Sequence, residues 1–235
     1  IFHGSVEVDV ENLIPGTIVR YTTDGSGPTA NSPVWDGKVK IDATTTFNLR
    51  AYGGDGSTYL PYAMTYEATE LTPAEAIDKE TKSGMLYRLY ELDGKNTKLP
   101  DFESLEPSST GTLTEKQINQ HIQVEQIAGK RKDNYALHLS GYLNVPTDEV
   151  YHFHLHADDG ARMVIDGEVV VDLDTHSYVD AWEAEGSIGL KQGMHRVDIY
   201  YYQDARRTRL TVKSRKGDAP EYQYISPESW QVPVH

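Results

Sequence analysis

Apolar and polar residues alternate with period two in short runs along most of this chain, and turn residues punctuate the runs. Such alternation marks half-buried β-strands. Val6, Val8 and Val10 open the pattern. After Pro15-Gly16 it resumes over residues 18–23 and breaks at the turn Asp24-Gly25-Ser26-Gly27-Pro28. A further turn at Asp36-Gly37 leads into residues 39–41, followed by residues 44–52, rich in β-branched and aromatic side chains, and residues 62–67. Strands of this length and spacing predict a small β-sandwich.

Residues 70–83 (ELTPAEAIDKETKS) interrupt the alternation: they are polar and charged, with one proline and no β-branched run. The stretch 69–83 therefore reads as a linker between a domain at 1–68 and a second at 84–235. The other reading is a short helix begun by Thr72-Pro73, with Glu75 in its first turn. Beyond it, strands are predicted over 86–92, 135–145, 150–157, 162–165, 168–173, 187–190, 196–202 and 209–213. Thr114, Gln117, Ile118 and Ile122 allow one short helix between them. The fold class is all-β.

Composition narrows the partners. Lys and Arg number 22 against 36 Asp and Glu, a formal net charge of −14. Phosphate binding needs a basic surface, so nucleic acid is excluded as the main partner. The basic stretches, Lys130-Arg131-Lys132 and Arg206, Arg207, Arg209, Lys213, Arg215 and Lys216, read as solvated loops and hairpins. No apolar run approaches the roughly 20 residues that span a bilayer. Cysteine is absent, which removes disulfides, thiolate metal sites and cysteine nucleophiles. The chain opens Ile1-Phe2-His3-Gly4 without a starting methionine, as expected of a processed chain or a piece of a longer one.

Two resemblances follow from particular motifs. IVRYTTDGSGPTANSPVW (residues 18–35) and TTTFNLRAYGGDG (44–56) resemble the fibronectin-like domain that follows the catalytic barrel of chitobiases and β-hexosaminidases. GMLYRLYEL (84–92), LPDFESLEPSSTGTL (99–113), KRKDNYALHLSGYLNVPTDEVYHFHLHADDGARMVIDGEVVVD (130–172) and GSIGLKQGMHRVDIYYY (186–202) resemble the PA-fourteen domain, the protective-antigen type. Together they imply two β-sandwiches, a small fibronectin/Ig-like one and a larger jelly-roll-like one. The second resemblance implies carbohydrate binding as the family's best-known activity.

Asp158-Asp159-Gly160 is the sharpest chemical feature. It follows a predicted strand, so both carboxylates emerge at a strand tip, where they repel unless a cation sits between them; hard oxygen ligands favour Ca²⁺. In similar lectin members the Asp-Asp bond is cis and the pair holds Ca²⁺ that bridges to sugar hydroxyls. The other reading is a turn in which Asp158 caps backbone amides and Gly160 supplies a positive φ. The resemblance draws further metal ligands from the loop that starts at Asp172 and Asp174, although Leu173 stands where many relatives have Asn. In that loop Tyr178 and Trp182 are placed to stack on a sugar ring, or Trp182 simply covers the sandwich end.

His152, His154 and His156 share one face of a strand. With His138 they invite Zn²⁺, but their spacing favours a solvated or packed outer face. His195 reads as structural. The chain lacks catalytic motifs: Asp148-Glu149 sits in a hairpin, and there is no Gly-x-Ser-x-Gly, HExxH or phosphate loop. The resulting expectation is a monomeric, non-catalytic accessory region of an exported enzyme, extracellular or periplasmic. Its parent would be a β-N-acetylhexosaminidase-like glycosidase, whose catalytic domain is one partner and a glycan another. The rival expectation is a purely structural module without sugar or metal.

Overall fold

A computed structural model describes residues 1–12, 14–174, 182–205 and 207–234. It is all-β and divides into two compact units, Ile1–Glu70 and Leu71–His235.

The first unit holds β1 (Val6–Val8), β2 (Thr17–Thr22), β3 (Val39–Ile41), β4 (Thr45–Gly53) and β5 (Tyr62–Tyr66). β1 pairs with β3, while β2, β4 and β5 form a three-stranded antiparallel sheet. The inward residues of β4, Phe47 and Leu49, are buried against Val8, Trp35 and Ile41. Trp35 meets Phe47 edge-on, with ring centroids 5.1 Å apart. Such contacts hold a core too small to rely on area alone. In the Asp24 turn, the carboxylate accepts from the Ser26 amide at 3.0 Å and its hydroxyl at 2.6 Å. Those bonds hold the Asp24 carboxyl below its ordinary value.

The second unit contains β6 (Thr81–Ser83), β7 (Met85–Glu91), β8 (Ser109–Leu113), β9 (Tyr135–Val145), β10 (Glu149–Asp158) and β11 (Gly160–Ile165). It continues through β12 (Glu168–Leu173), β13 (Glu183–Leu190), β14 (Gly193–Gln203), β15 (Arg209–Lys216), β16 (Gln223–Tyr224) and β17 (Trp230–Pro233). One sheet runs β12-β11-β14-β9-β17-β6, with β7 joining β9 and β8 joining β7; the other runs β13-β10-β15-β16. Phe153 and Leu155 from β10 pack with Leu137, Leu139, Ile199 and Tyr201 from the larger sheet. This is a β-sandwich with its core between the sheets.

Three local readings are corrected. From Leu71 onward the expected linker is laid into the second unit. Leu71 is buried, Thr72 donates to the Gly189 carbonyl, Glu75 donates to the Met194 carbonyl, and β6 pairs with β17. Backbone pairing with strand edges satisfies a stretch that lacks its own pattern, and no helix forms at Thr72-Pro73. The helix expected around residues 114–122 lies instead at α1 (Val124–Ala128). Gln117 folds its side chain back to the Thr114 amide, closing a turn there. Finally, β6, β8, β16 and β17 carry too little alternation to be read.

Candidate functional site

The chain crosses from the smaller sheet to the larger between β10 and β11, and Asp158-Asp159 makes the crossing through a cis peptide bond. The Tyr201 hydroxyl donates to the Asp158 carbonyl at 2.6 Å. Asp159 is buried, and its Oδ2 accepts from the Asp204 amide at 2.7 Å and the Ala205 amide at 3.4 Å. The capping role expected of Asp158 thus belongs to Asp159. Gly160 does not supply a positive φ either. A Cβ there would stand 2.4 Å from Tyr202 Cε1 and 3.0 Å from the Leu173 carbonyl oxygen, so close approach requires the glycine.

Asp158 keeps its carboxylate half-exposed. Burial, then the neighbouring charge of Asp159, raise its pKa above the ordinary value, and Arg207 and Arg209 pull the other way. Beside it lies a hollow of about 400 Å³ lined by Glu125, His156, Asp158, Trp182, Arg207, Thr208 and Arg209. Trp182 is 55 % exposed, and its carbonyl accepts from the Ala157 amide at 3.1 Å. The Thr208 hydroxyl donates to the Glu125 carboxylate and fixes its direction. Tyr178 lies outside the described residues.

Asp172 and Asp174 are placed differently. Arg162 Nη2 donates to Asp172 Oδ2 at 2.9 Å and sits 3.5 Å from Asp174 Oδ2. Asp172 Oδ1 accepts from the Asp174 amide, and Asp174 Oδ1 accepts from the Leu99 amide at 2.6 Å. Asp204 takes the Asn96 amide in the same way at 2.7 Å. The two loop acids therefore neutralise an arginine and, with Asp204, anchor residues 96–99. Burial and the carboxylates of Asp159, Asp174 and Asp204 all push the Tyr202 hydroxyl well above its ordinary pKa. Among the described residues, no group of three or more His, Asp or Glu side chains is arranged to hold a metal ion. Of the four acids assigned to calcium from the sequence, Asp158 and Asp159 are adjacent oxygen donors, with Asp159 Oδ2 already bonded to two backbone amides. Asp172 and Asp174 are committed to Arg162 and the Leu99 amide.

The histidine strand serves the sheet. His152 Nδ1 lies 2.6 Å from Ser187 Oγ, and Glu183 bridges His154 at 3.3 Å and His156 at 2.8 Å. His138 belongs to the other sheet, 2.7 Å from Asp198 and stacked on Tyr200. His195 is fully buried between Asp166 and the Lys191 carbonyl. Asp148 accepts from the Gln192 amide in its turn. Sequence reasoning missed Glu125, His156, Arg207 and Arg209 as neighbours of the Asp pair. The register of β10 on β15, which sets Asp158 opposite Arg209, was the signal that could have found one of them.

The sequence model of the PA14 domain matches residues 81–225, and that of the chitobiase/β-hexosaminidase C-terminal domain matches residues 2–60. Both are accessory, non-catalytic domain types. No curated protein matches the chain at a significant level. Among solved structures, an anti-sigma factor domain-containing protein aligns over 97% of this chain and 83% of its own, with 13% identity and a TM-score of 0.52. A PA14 sugar-binding domain from an RTX adhesin aligns over 64% of this chain and 99% of its own, at 16% identity and TM-score 0.49. The epithelial adhesin 6 A domain of Candida glabrata, in complex with Galβ1-3GlcNAc, covers 65% of this chain and 90% of its own, at 10% identity and TM-score 0.47. The crossing at Asp158 and every strand of the sandwich except β17 fall within the longer match. The chain belongs to the PA14 domain family, with a chitobiase/β-hexosaminidase C-terminal domain preceding that fold.

Proposed function

We infer that this chain is the non-catalytic, carbohydrate-binding region of an exported glycoside hydrolase of β-N-acetylhexosaminidase type, working outside the cell or in the periplasm. One observation carries the reading: the half-exposed Trp182 and the Asp158 carboxylate line one hollow at the sandwich end. An indole face covers the apolar C–H side of a sugar while carboxylates accept from its hydroxyls. The PA14 match supports the binding role and the chitobiase-type match supports the parent.

Asp158 and Asp159 would hold a calcium ion, which would supply positive charge to two adjacent carboxylates. Asp172 and Asp174 would stay with Arg162. The test compares melting temperature in calcium and in EDTA, together with glycan-array binding. At about a hundredfold excess over Kd, a ligand of the folded state alone adds about 2.7 kcal/mol. Asp158→Ala should remove that increment and the glycan binding, while Asp172→Ala should keep both. A flat calcium titration would exclude the ion.

A structural reading is favoured for the first unit by its exposed apolar side chains, Leu60 at 92 % and Tyr62 at 62 %. Such residues suit packing on a catalytic domain. Absence of binding to any glycan would extend that reading to the whole chain. The chain itself should not hydrolyse aryl N-acetylglucosaminides.

A further inference from the structure

Three arginines of the second unit have carboxylate partners, Arg131 with Glu91, Arg162 with Asp172 and Arg196 with Asp198, and Arg215 donates to the Gly217 carbonyl. Arg207 and Arg209 are both exposed in the hollow beside Asp158, and neither guanidinium forms an ion pair among the described residues. Two forked donors without an ion-pair partner among the described residues, in a concave site next to an indole, are arranged to take a carboxylate from a ligand. Asp158 and Glu125 share the same wall, with Glu125 held by Thr208. A bare sulfate dianion would bring no hydroxyl to donate to either acid. A sugar that carries a carboxylate and several hydroxyls suits every group present: its anion faces the arginines, and its hydroxyls donate to Asp158 and Glu125.

The hollow also continues. A second one, again about 400 Å³, shares Glu125, Thr208 and Arg209 and is lined further by Asn119 and Gln120. Amide side chains of that kind bond sugar hydroxyls in either direction. Each volume lies within the range of small-ligand sites, so together they extend the site past a single ring.

We propose that this site selects acidic oligosaccharides, chains containing uronic acid, through Arg207 and Arg209. The proposal rests on the carbohydrate-binding reading and adds the class of sugar to it. The test is titration of the full chain with trigalacturonic acid, its methyl ester and a neutral trigalactoside. Trp182 is the fluorescent reporter, since Trp35 and Trp230 are buried. The acid should bind at least tenfold more tightly than the ester or the neutral sugar. Arg207→Gln and Arg209→Gln should each weaken the acid about tenfold and change melting temperature only slightly, because both side chains are exposed. Equal binding of acid and ester, lost in Asp158→Asn, would overturn the acidic preference and leave the carbohydrate reading standing. No binding of any of the three, with an array that is also blank, would overturn both. Equal affinity for a sulfated trisaccharide or a short DNA duplex would show unselective charge attraction and would also overturn the proposal.

Discussion

Two pairs of acids mark the ends of the β11–β12 hairpin, Asp158 and Asp159 just before β11, and Asp172 and Asp174 at the end of β12. In sequence they look alike: two carboxylates at or next to the end of a strand, ready for a cation. In the fold their circumstances diverge. The later pair shares Arg162 and gives one oxygen to the Leu99 amide, so part of its charge is offset within the molecule. The earlier pair gives Asp159 to backbone amides and leaves Asp158 beside an open hollow, its carboxyl held above the ordinary value. A carboxylate with internal partners builds structure. One pressed against another carboxylate and facing solvent is where a ligand's charge or hydroxyl has something to gain.

The strongest test of that contrast is steric. Gly160→Ala would drive a Cβ to 2.4 Å from the Tyr202 ring and onto the Leu173 carbonyl. Overpacking of this kind should cost about 2–3 kcal/mol and lower the melting temperature by roughly 5–10 °C, read by thermal denaturation. A loss under about 1 kcal/mol would show that the crossing is looser than described, and the Asp pair with it. Next comes Asp174→Ala, which strips the Leu99 amide of its acceptor and should cost about 1–2 kcal/mol, equally in calcium and in EDTA. A cost that appears only in calcium would place Asp174 with the ligand-facing acids after all. Asp172→Ala breaks an exposed pair with Arg162 and an exposed bond from the Asp174 amide, and should cost less, about 1 kcal/mol.

That contrast was only partly legible in the sequence. Alternation and turn chemistry located 39–41, 135–145 and 168–173 with their bounds, because long or well-punctuated strands declare both faces. The turn Asp166-Gly167 has both φ angles positive, 49° and 85°, as a two-residue hairpin of the primed kind demands. A register shift between Met163 and Val164 then sets Arg162 opposite Asp172, whereas a straight count outward from the turn would have put Val171 there. What could not be counted is the neighbourhood of Asp158. Glu125 comes from a short helix and Thr208 from the approach to β15, and only the packed sandwich brings them together. Leu71, Thr72 and Glu75 failed for a related reason: their pattern is weak because their partners are the Gly189 and Met194 carbonyls of other strands.

The smallest expected effect is the most specific to Asp158. Burial and Asp159 raise its pKa, so above the ordinary carboxylate value the folded state holds a proton that the unfolded state has released. The stability from that proton is present at low pH and is lost as pH rises through the folded pKa. At neutral pH the ionised Asp158 is therefore a cost, and Asp158→Asn should stabilise the chain in EDTA. Water screens a half-exposed carboxylate, so the gain should stay below about 1 kcal/mol. It should shrink as pH falls towards the ordinary value of 3.8. His156 titrates with the opposite sign. Burial first, with Arg209 adding to it, holds its pKa below the ordinary value against the pull of Glu183. The folded state then binds fewer protons than the unfolded one, and stability falls as pH drops through about 6.5. Urea titrations of wild type and Asp158→Asn at pH 4, 5.5 and 7 separate the two. A variant no more stable than wild type at pH 7 would mean that Arg207 and Arg209 already balance Asp158. In that case they would not be free to receive an acidic ligand.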